Sequence, residues 1–564
     1  MEKDQIKRIK IIEIFIIVSL SCILMRVYYL QNICQDYKKL STKNFVRASK
    51  NQSIRGIIVD RNGNILVRNK IIYDLFVIPR NTKKLNITNF CLDLGIPRSV
   101  YEYKIKKAIK YSPFKPSVFI KNLTDMHVAK IIDKINDYPG FYIKHRFIRD
   151  YPSKILSLIL GYVSMNNDGE CIGETGVEKI YDKQLTGIAG TMYNIVDVNE
   201  TIVMKYNEGK DDIDPVNGKN LTLTIDCKLQ KFCEELLQNL TGAIVVIDPR
   251  NGEILSIVSS PSYDPNLLNR TNDFTDNYLK LTKDNNSPLL NRAIMSTYPM
   301  GSMFKIVQAL IALNNGIINP NDKIICSGKK IKCHTHPNPV NMHLAIKYSC
   351  NEYFFNIFQK TLTHKSHEEI ENKIDTWHNN VTTFGLGKKL DIDLPYEKSG
   401  FVPDSDFYNK LYGKNKWNNM TVRSLDIGQG ELLATPLQMA NLAAILCNKG
   451  FYYNPHIVKR DNNEKHTIQI EERFFSFISD IMNKCITSGT GQNAYVKGLN
   501  VHGKTSTIQN TGDDHSAFIG FEPNCNIALV VFVEHGGWGS GKAATLAGKI
   551  FKFCKDTNDM SNYR

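Results

Sequence analysis

The stretch Pro299-Met300-Gly301-Ser302-Met303-Phe304-Lys305, running on into the apolar segment Ile306–Leu313, decides how the rest of the chain is read. Proline and glycine punctuate the chain just ahead of a helical pattern, which predicts Ser302 in the first turn of a helix. Positions i and i+3 share a helical face, so Lys305 is within reach of the Ser302 hydroxyl. First-turn N–H groups have no intrahelical acceptor, and they suit an oxyanion developing next to Ser302. Burial would strip Lys305 of its charge and let it take the Ser302 proton. Ser-x-x-Lys alone is commonplace, because an N-capping serine and a solvated lysine spell the same letters.

Two later stretches change its weight. Ser349-Cys350-Asn351 precedes the aromatic run Tyr353-Phe354-Phe355 and places a hydroxyl and an amide at a turn leading into a helix. Further on, His502-Gly503-Lys504-Thr505-Ser506-Thr507 opens a C-terminal region of strand-like runs. In a strand Lys504 and Ser506 face one side and Thr505 the other. A lysine at a cleft edge suits a substrate carboxylate, and a backbone N–H near Thr507 suits the oxyanion.

Ser-x-x-Lys, Ser-x-Asn and Lys-Thr-x in this order are the motif set of penicillin-binding proteins and serine β-lactamases. Over nearly its whole length the chain resembles the class B penicillin-binding proteins, and among them the members that serve cell elongation. The resemblance also rests on Arg55-Gly56-Ile57-Ile58-Val59-Asp60-Arg61-Asn62-Gly63, on Gly176-Val177-Glu178 with Tyr181-Asp182, and on Ile427-Gly428-Gln429-Gly430 with Thr435-Pro436-Leu437-Gln438. Val533-Glu534-His535-Gly536-Gly537 points to the elongation rather than the division type. The resemblance implies a serine-type D-Ala-D-Ala transpeptidase or carboxypeptidase. Ser302 would attack the penultimate D-Ala carbonyl of a peptidoglycan stem peptide, with Lys305 as base. Ser349 and Asn351 would relay the proton and position the substrate amide, and Lys504 and Thr505 would hold the terminal carboxylate. β-Lactams would acylate Ser302 by the same route. Two departures stand out. Ser506 occupies the usual glycine position and is expected to intrude on the cleft beside Lys504. His515 is followed by Ser516, Ala517 and Phe518 instead of the usual aromatic.

Cys326, Cys333 and Cys350, with His334, His336 and His343, cluster between the first two motifs. Their spacing is open to a tetrahedral zinc site, to a disulfide, or to isolated buried thiols. The resemblance implies a structural zinc held by Cys326, Cys333, His336 and Cys350, with the choice between His334 and His336 open. No cofactor is expected for the chemistry itself.

The chain has 564 residues, enough for about two to four domains. Its 42% apolar and 23% charged residues exclude a disordered chain. Thirteen cysteines over this length are too sparse for a small disulfide scaffold. The net charge of +15 comes with no nucleic-acid motif, and a compositional excess of solvated lysine accounts for it. Ile11–Leu30 is just long and apolar enough to cross a bilayer. No small-x-small cleavage site follows it, which favours an anchor over a signal peptide. Lys3, Lys7, Arg8 and Lys10 ahead of it place the N-terminus in the cytoplasm. The expected architecture is α+β: a cytoplasmic tail (1–10), a transmembrane helix (11–30), a non-catalytic mixed pedestal (31–218) and a transpeptidase domain (219–564) with an antiparallel sheet flanked by helices. With no glutamate-rich glycosyltransferase motif in the pedestal, glycan polymerisation falls to a membrane glycosyltransferase partner. The expected setting is a bacterial inner membrane, single-pass, with the catalytic domain in the periplasm among stem peptides and lipid-linked precursors. Three rivals remain: a division transpeptidase, a β-lactamase, for which no deacylating glutamate can be placed, and a degenerate β-lactam sensor, which Ser506 would favour.

Overall fold

A computed structural model describes residues 2–33, 45–165, 171–197, 202–269, 273–333 and 335–561. The N-terminal helix α1 (Glu2–Tyr28) carries apolar side chains exposed all round, Phe15 at 72% among them. Its apolar window is long enough to cross a membrane. A helix that exposes such residues on every face has no aqueous stability of its own and fits a single-pass anchor.

By its internal contacts the chain divides into two units. The first holds residues 1–54, 71–147 and 187–218. One part of it is an antiparallel sheet in which Gly190–Val196 lies between Val46–Asn51 and Ile202–Lys205. A separate core gathers Leu75, Val77, Leu94 and the rings of Phe90, Tyr101, Phe119, Tyr138 and Phe141. There Phe90 and Phe141 approach to 4.3 Å, and Phe90 meets Tyr138 edge-on at 5.0 Å, an arrangement that aromatic quadrupoles favour.

The second unit holds residues 55–70, 148–186 and 219–564. The early stretches Arg55–Gly63 and Gly176–Asp182 therefore belong with the chain's C-terminal half. Glu178, fully buried, accepts from Arg55 Nε at 2.7 Å and Arg149 Nε at 2.8 Å, while Asp182 takes Arg55 Nη1 at 2.8 Å. Asp60-Arg61-Asn62-Gly63 closes a hairpin, with Asp60 Oδ1 accepting from the Asn62 and Asn64 N–H groups.

The centre of this unit is a five-stranded antiparallel sheet of β1 (Gly242–Ile247), β2 (Ile254–Ser260), β3 (His502–Ile508), β4 (His515–Glu522) and β5 (Ile527–Val533), in the order β2-β1-β5-β4-β3. Its central strands read as unbroken apolar runs because both faces are covered. Ala243, Val245, Ile247, Val530 and Phe532 join the larger core, whereas Ile244, Val246, Leu529, Val531 and Val533 join the core that includes the C-terminal helix. This is the period-two division of a strand buried on both sides. The larger core also contains α2 (Phe304–Asn314), the helix after Ser302, in which every residue from Phe304 to Leu313 is buried. Edge strand β3 runs past the turn that carries Ser302.

Candidate active site

Gly301 sits at φ +57°, and its N–H donates to Gly428 O at 2.8 Å. A Cβ at Gly301 would lie 2.3 Å from Ser506 Oγ, so only glycine fits between β3 and this turn. Ser302 lies in a single 3₁₀ turn, Gly301–Met303, that runs directly into α2. This tighter turn leaves Ser302 half-buried at the cleft and turns Lys305 fully inward.

Lys305 Nζ donates to Ser349 O at 2.8 Å, Ser349 Oγ at 3.2 Å and Asn351 Oδ1 at 2.6 Å. Lys504 Nζ reaches the same Ser349 Oγ at 3.0 Å and the Thr505 carbonyl at 3.1 Å. Ser349 adopts φ +58°, a left-handed conformation that a serine keeps only under external constraint, here the two lysines on one residue. Burial first, and the neighbouring Lys504 charge second, bring Lys305 down to about 7. Burial likewise brings Lys504 down to about 8. No hydrogen bond joins Ser302 to Lys305 among the described residues; Ser349 stands between the two ammonium groups instead.

Ser302, Ser349, Asn351, Thr505 and Thr507 line one cleft of about 470 Å3, together with Gln429, Thr490 and Trp538. Ser506 differs from its sequence expectation. It shares the Lys504 face, but that face is turned to the nucleophile turn: Ser506 is 1% exposed and its Oγ donates to Met300 O at 2.9 Å. Alternation along β3 thus leaves Thr505 and Thr507 as the cleft-facing side chains, and Lys504 reaches Ser349 Oγ from behind them.

Three residues here escaped the sequence reading. Thr490 pairs its hydroxyl with Thr505 Oγ1 at 3.0 Å, and its signal was a Ser-Gly-Thr-Gly turn at Ser488–Gly491. Trp538 follows the quoted Glu534–Gly537 stretch. Asp426 lies directly before Ile427-Gly428-Gln429 and is fully buried. Burial raises it to about 8 against the pull of Lys305.

Cys326, Cys333, His336 and Cys350 bring their ligand atoms within 4.8 Å of one another. His334 lies outside the described residues, and His343 is not in the cluster. Cys333 and Cys350 Sγ stand 3.8 Å apart, the edge of a tetrahedron with Zn–S near 2.3 Å. His336 Nδ1 pairs with the Pro337 carbonyl at 2.9 Å, leaving Nε2 buried without a partner. A metal-ligating histidine has this arrangement. The hydrogen bond from Cys350 and the N–H of Glu352 draw the Cys333 thiol well below its ordinary range, so the donor chemistry suits a soft divalent ion. Cys350 also caps α3 (Asn351–Thr361), accepting from Tyr353 N at 3.3 Å. The cluster therefore grips the turn that presents Ser349 and Asn351.

The penicillin-binding protein transpeptidase-domain model matches residues 242–552, and the penicillin-binding protein dimerisation-domain model matches residues 50–223. The peptidoglycan D,D-transpeptidase MrdA of Acinetobacter baumannii is 31% identical over 95% of this chain and 86% of its own length. The chain belongs to the penicillin-binding proteins, of the penicillin-binding protein 2 type. The Escherichia coli K12 MrdA is also 31% identical, over 75% of this chain and 69% of its own. In fold, this penicillin-binding protein is similar to Helicobacter pylori penicillin-binding protein 2 solved with MreC, with a TM-score of 0.74 at 23% identity over 90% of this chain and 99% of that one. It is also similar to Pseudomonas aeruginosa penicillin-binding protein 2, with a TM-score of 0.63 at 25% identity over 90% and 96%. The α+β class, the dimerisation-type region and the antiparallel transpeptidase sheet agree with the sequence reading.

Proposed function

We propose that this chain is the D,D-transpeptidase of cell elongation, and that its reaction runs through Ser302. The observation that carries the reading is the shared Ser349 hydroxyl, held between Lys305 and Lys504 behind the half-buried Ser302. Neutral Lys305 accepts the Ser302 proton through Ser349. The Ser302 Oγ–C bond forms and the C–N bond to the terminal D-Ala breaks, and the relayed proton leaves with the D-Ala amine. Asn351 orients the donor amide, Thr505 and Thr507 face the terminal carboxylate, and the positive Lys504 supports both. The first-turn N–H groups at Ser302, with that of Thr507, hold the oxyanion. An amine of a neighbouring stem then resolves the ester and makes the cross-link. Water in its place gives the carboxypeptidase product.

Of the expected pedestal, 31–218, the stretches 71–147 and 187–218 serve that non-catalytic role, whereas 55–70 and 148–186 group with the transpeptidase domain, 219–564. The N-terminus (1–10) lies in the cytoplasm, residues 11–30 span the inner membrane, and catalysis is periplasmic, supplied by a membrane glycosyltransferase. Similar structures include a penicillin-binding protein 2–MreC complex and a peptidoglycan synthase complex, and assembly of this kind extends to the present chain. Cys326, Cys333, His336 and Cys350 hold a structural zinc that ties the Ser349–Asn351 turn to the loop before it.

Fluorescent penicillin tests the reaction: labelling of the full chain that disappears in Ser302→Ala supports it, and equal labelling of the variant overturns it. Metal analysis of Cys350→Ser tests the zinc; unchanged stoichiometry removes Cys350 as a ligand.

A further inference from the structure

Within the cysteine cluster, Cys333 is the member that faces the active-site cleft. It lines the same cavity as Ser302 and Asn351 and is half-buried there, whereas Cys350, 3.8 Å away, is fully buried. Neither sulfur has a part in acylation as derived above.

Together the two sulfurs hold the first turn of α3. Cys333 Sγ accepts from the Asn351 and Glu352 N–H groups, both at 3.2 Å, and Cys350 Sγ accepts from the Tyr353 N–H at 3.3 Å. Sulfur thus meets three of the four N–H groups that a helix leaves without an intrahelical acceptor. A thiolate suits that place, because the positive end of a helix favours an anion. An uncharged sulfur is only a weak acceptor. The same turn places Ser349 O at 2.8 Å and Asn351 Oδ1 at 2.6 Å from Lys305 Nζ. A change of charge at Cys333 therefore acts directly on the residues that hold the catalytic lysine.

We propose that Cys333 is an oxidation site, and that a peroxide entering the cleft joins Cys333 to Cys350 in a disulfide that disarms the Ser349–Asn351 turn. The Cys333 thiolate attacks one peroxide oxygen: the S–O bond forms, the O–O bond breaks and hydroxide leaves. The Cys350 thiolate then attacks the sulfenic sulfur of Cys333. The S–S bond forms, the S–O bond breaks and a second hydroxide leaves. The two sulfurs give up two electrons, and with two protons from solvent the peroxide becomes two waters. The sulfurs close from 3.8 Å to about 2 Å and lose their charge. Cys326 and His336 are then left with too few donors for a tetrahedral ion. The Asn351 and Glu352 N–H groups lose their anionic acceptor, and Ser349 and Asn351 slacken away from Lys305. A thiol reductant reverses the step. Metal release, one of its consequences, rests on the zinc reading.

The test treats the zinc-loaded full chain in detergent with hydrogen peroxide. It follows zinc release with a chromogenic chelator, disulfides by tryptic mass mapping, and Ser302 acylation with fluorescent penicillin. Cys326, Cys333 and Cys350 fall in the separate tryptic peptides 324–329, 333–347 and 348–360, so the joined pair is read directly. A 333–347/348–360 link should appear in step with zinc release and with a labelling rate lowered about tenfold, the scale on which losing support at a metal site acts. Dithiothreitol with added zinc should restore the rate, which separates this step from methionine oxidation. Cys333→Asp keeps an anionic ligand but forms no disulfide, so peroxide should leave the labelling rate of that variant where it was. Absence of the link, or a link that leaves the labelling rate unchanged, overturns the oxidation site while the zinc stands. A chain that takes up no zinc overturns the zinc reading alone, and the link and the labelling rate then decide the oxidation site by themselves.

Discussion

With the uncharged form of Lys305 as the proposed base, the rate of Ser302 acylation should rise with pH through neutrality. Its value of about 7 makes that form about half of the population at pH 7, about a tenth at pH 6 and about a hundredth at pH 5. The second-order rate constant for fluorescent penicillin should therefore fall about tenfold per unit below neutrality. Lys504 loses its charge through about 8. If its positive charge supports Ser349 and the bound carboxylate, the rate falls again above that point, leaving a narrow bell. The two limbs respond differently to substitution. Lys504 is the second-largest cause, after burial, of the lowering at Lys305, so Lys504→Gln should move the acid limb to higher pH as well as slow the reaction. The assay is a time course of gel fluorescence from pH 5 to 9. A flat profile below pH 7, or an acid limb near the ordinary lysine value of 10.5, would refute Lys305 as the base.

Asp426, raised by burial to about 8, is uncharged through the acid limb, so Asp426→Asn should leave that limb in place in the same assay; a shift to lower pH would show an ionised Asp426 beside Lys305. Ser506→Gly should cost about 1 kcal/mol in thermal unfolding for the lost bond to Met300 O. It should change the acylation rate little, and a large gain in rate would place Ser506 in the cleft after all. Glu178→Gln leaves Arg149, 1% exposed, without its anion and Arg55 with Asp182 alone, and should destabilise the fold by about 3–5 kcal/mol; an unchanged melting temperature would mean that the cluster is not buried in solution.

Local chemistry was legible wherever a few adjacent residues set it. Pro299–Lys305 announced a turn into a helix because glycine and proline act on their own backbone. What escaped depends on partners distant in the chain. Alternation along β3 correctly put Ser506 on the Lys504 side, but which side faces open space is decided by the Gly301 turn packed against it. Arg55–Gly63 and Gly176–Asp182 were recognisable as family-like stretches, yet nothing local says that Arg55 and Glu178, 123 residues apart, form one buried pair. The cysteines were legible as a group; the choice of His336 rests on the carbonyl that occupies its Nδ1 and frees Nε2.

The same distinction explains why Asp426 left no trace in the sequence. An acid in Leu425-Asp426-Ile427 reads as a solvated turn residue, and its meaning comes from burial near Lys305. Two ammonium groups sharing one serine in a water-poor pocket repel each other, and burial penalises both. Asp426 feels the same burial and, raised to about 8, is a neutral acid at pH 7 that adds no further charge to the pocket. Burial and the Lys504 charge leave Lys305 at about 7, where it still binds a proton firmly enough to draw one from Ser302. Burial thus shifts Lys305, Lys504 and Asp426 alike toward their neutral forms, and the surface excess of lysine that dominates the net charge has no part in it.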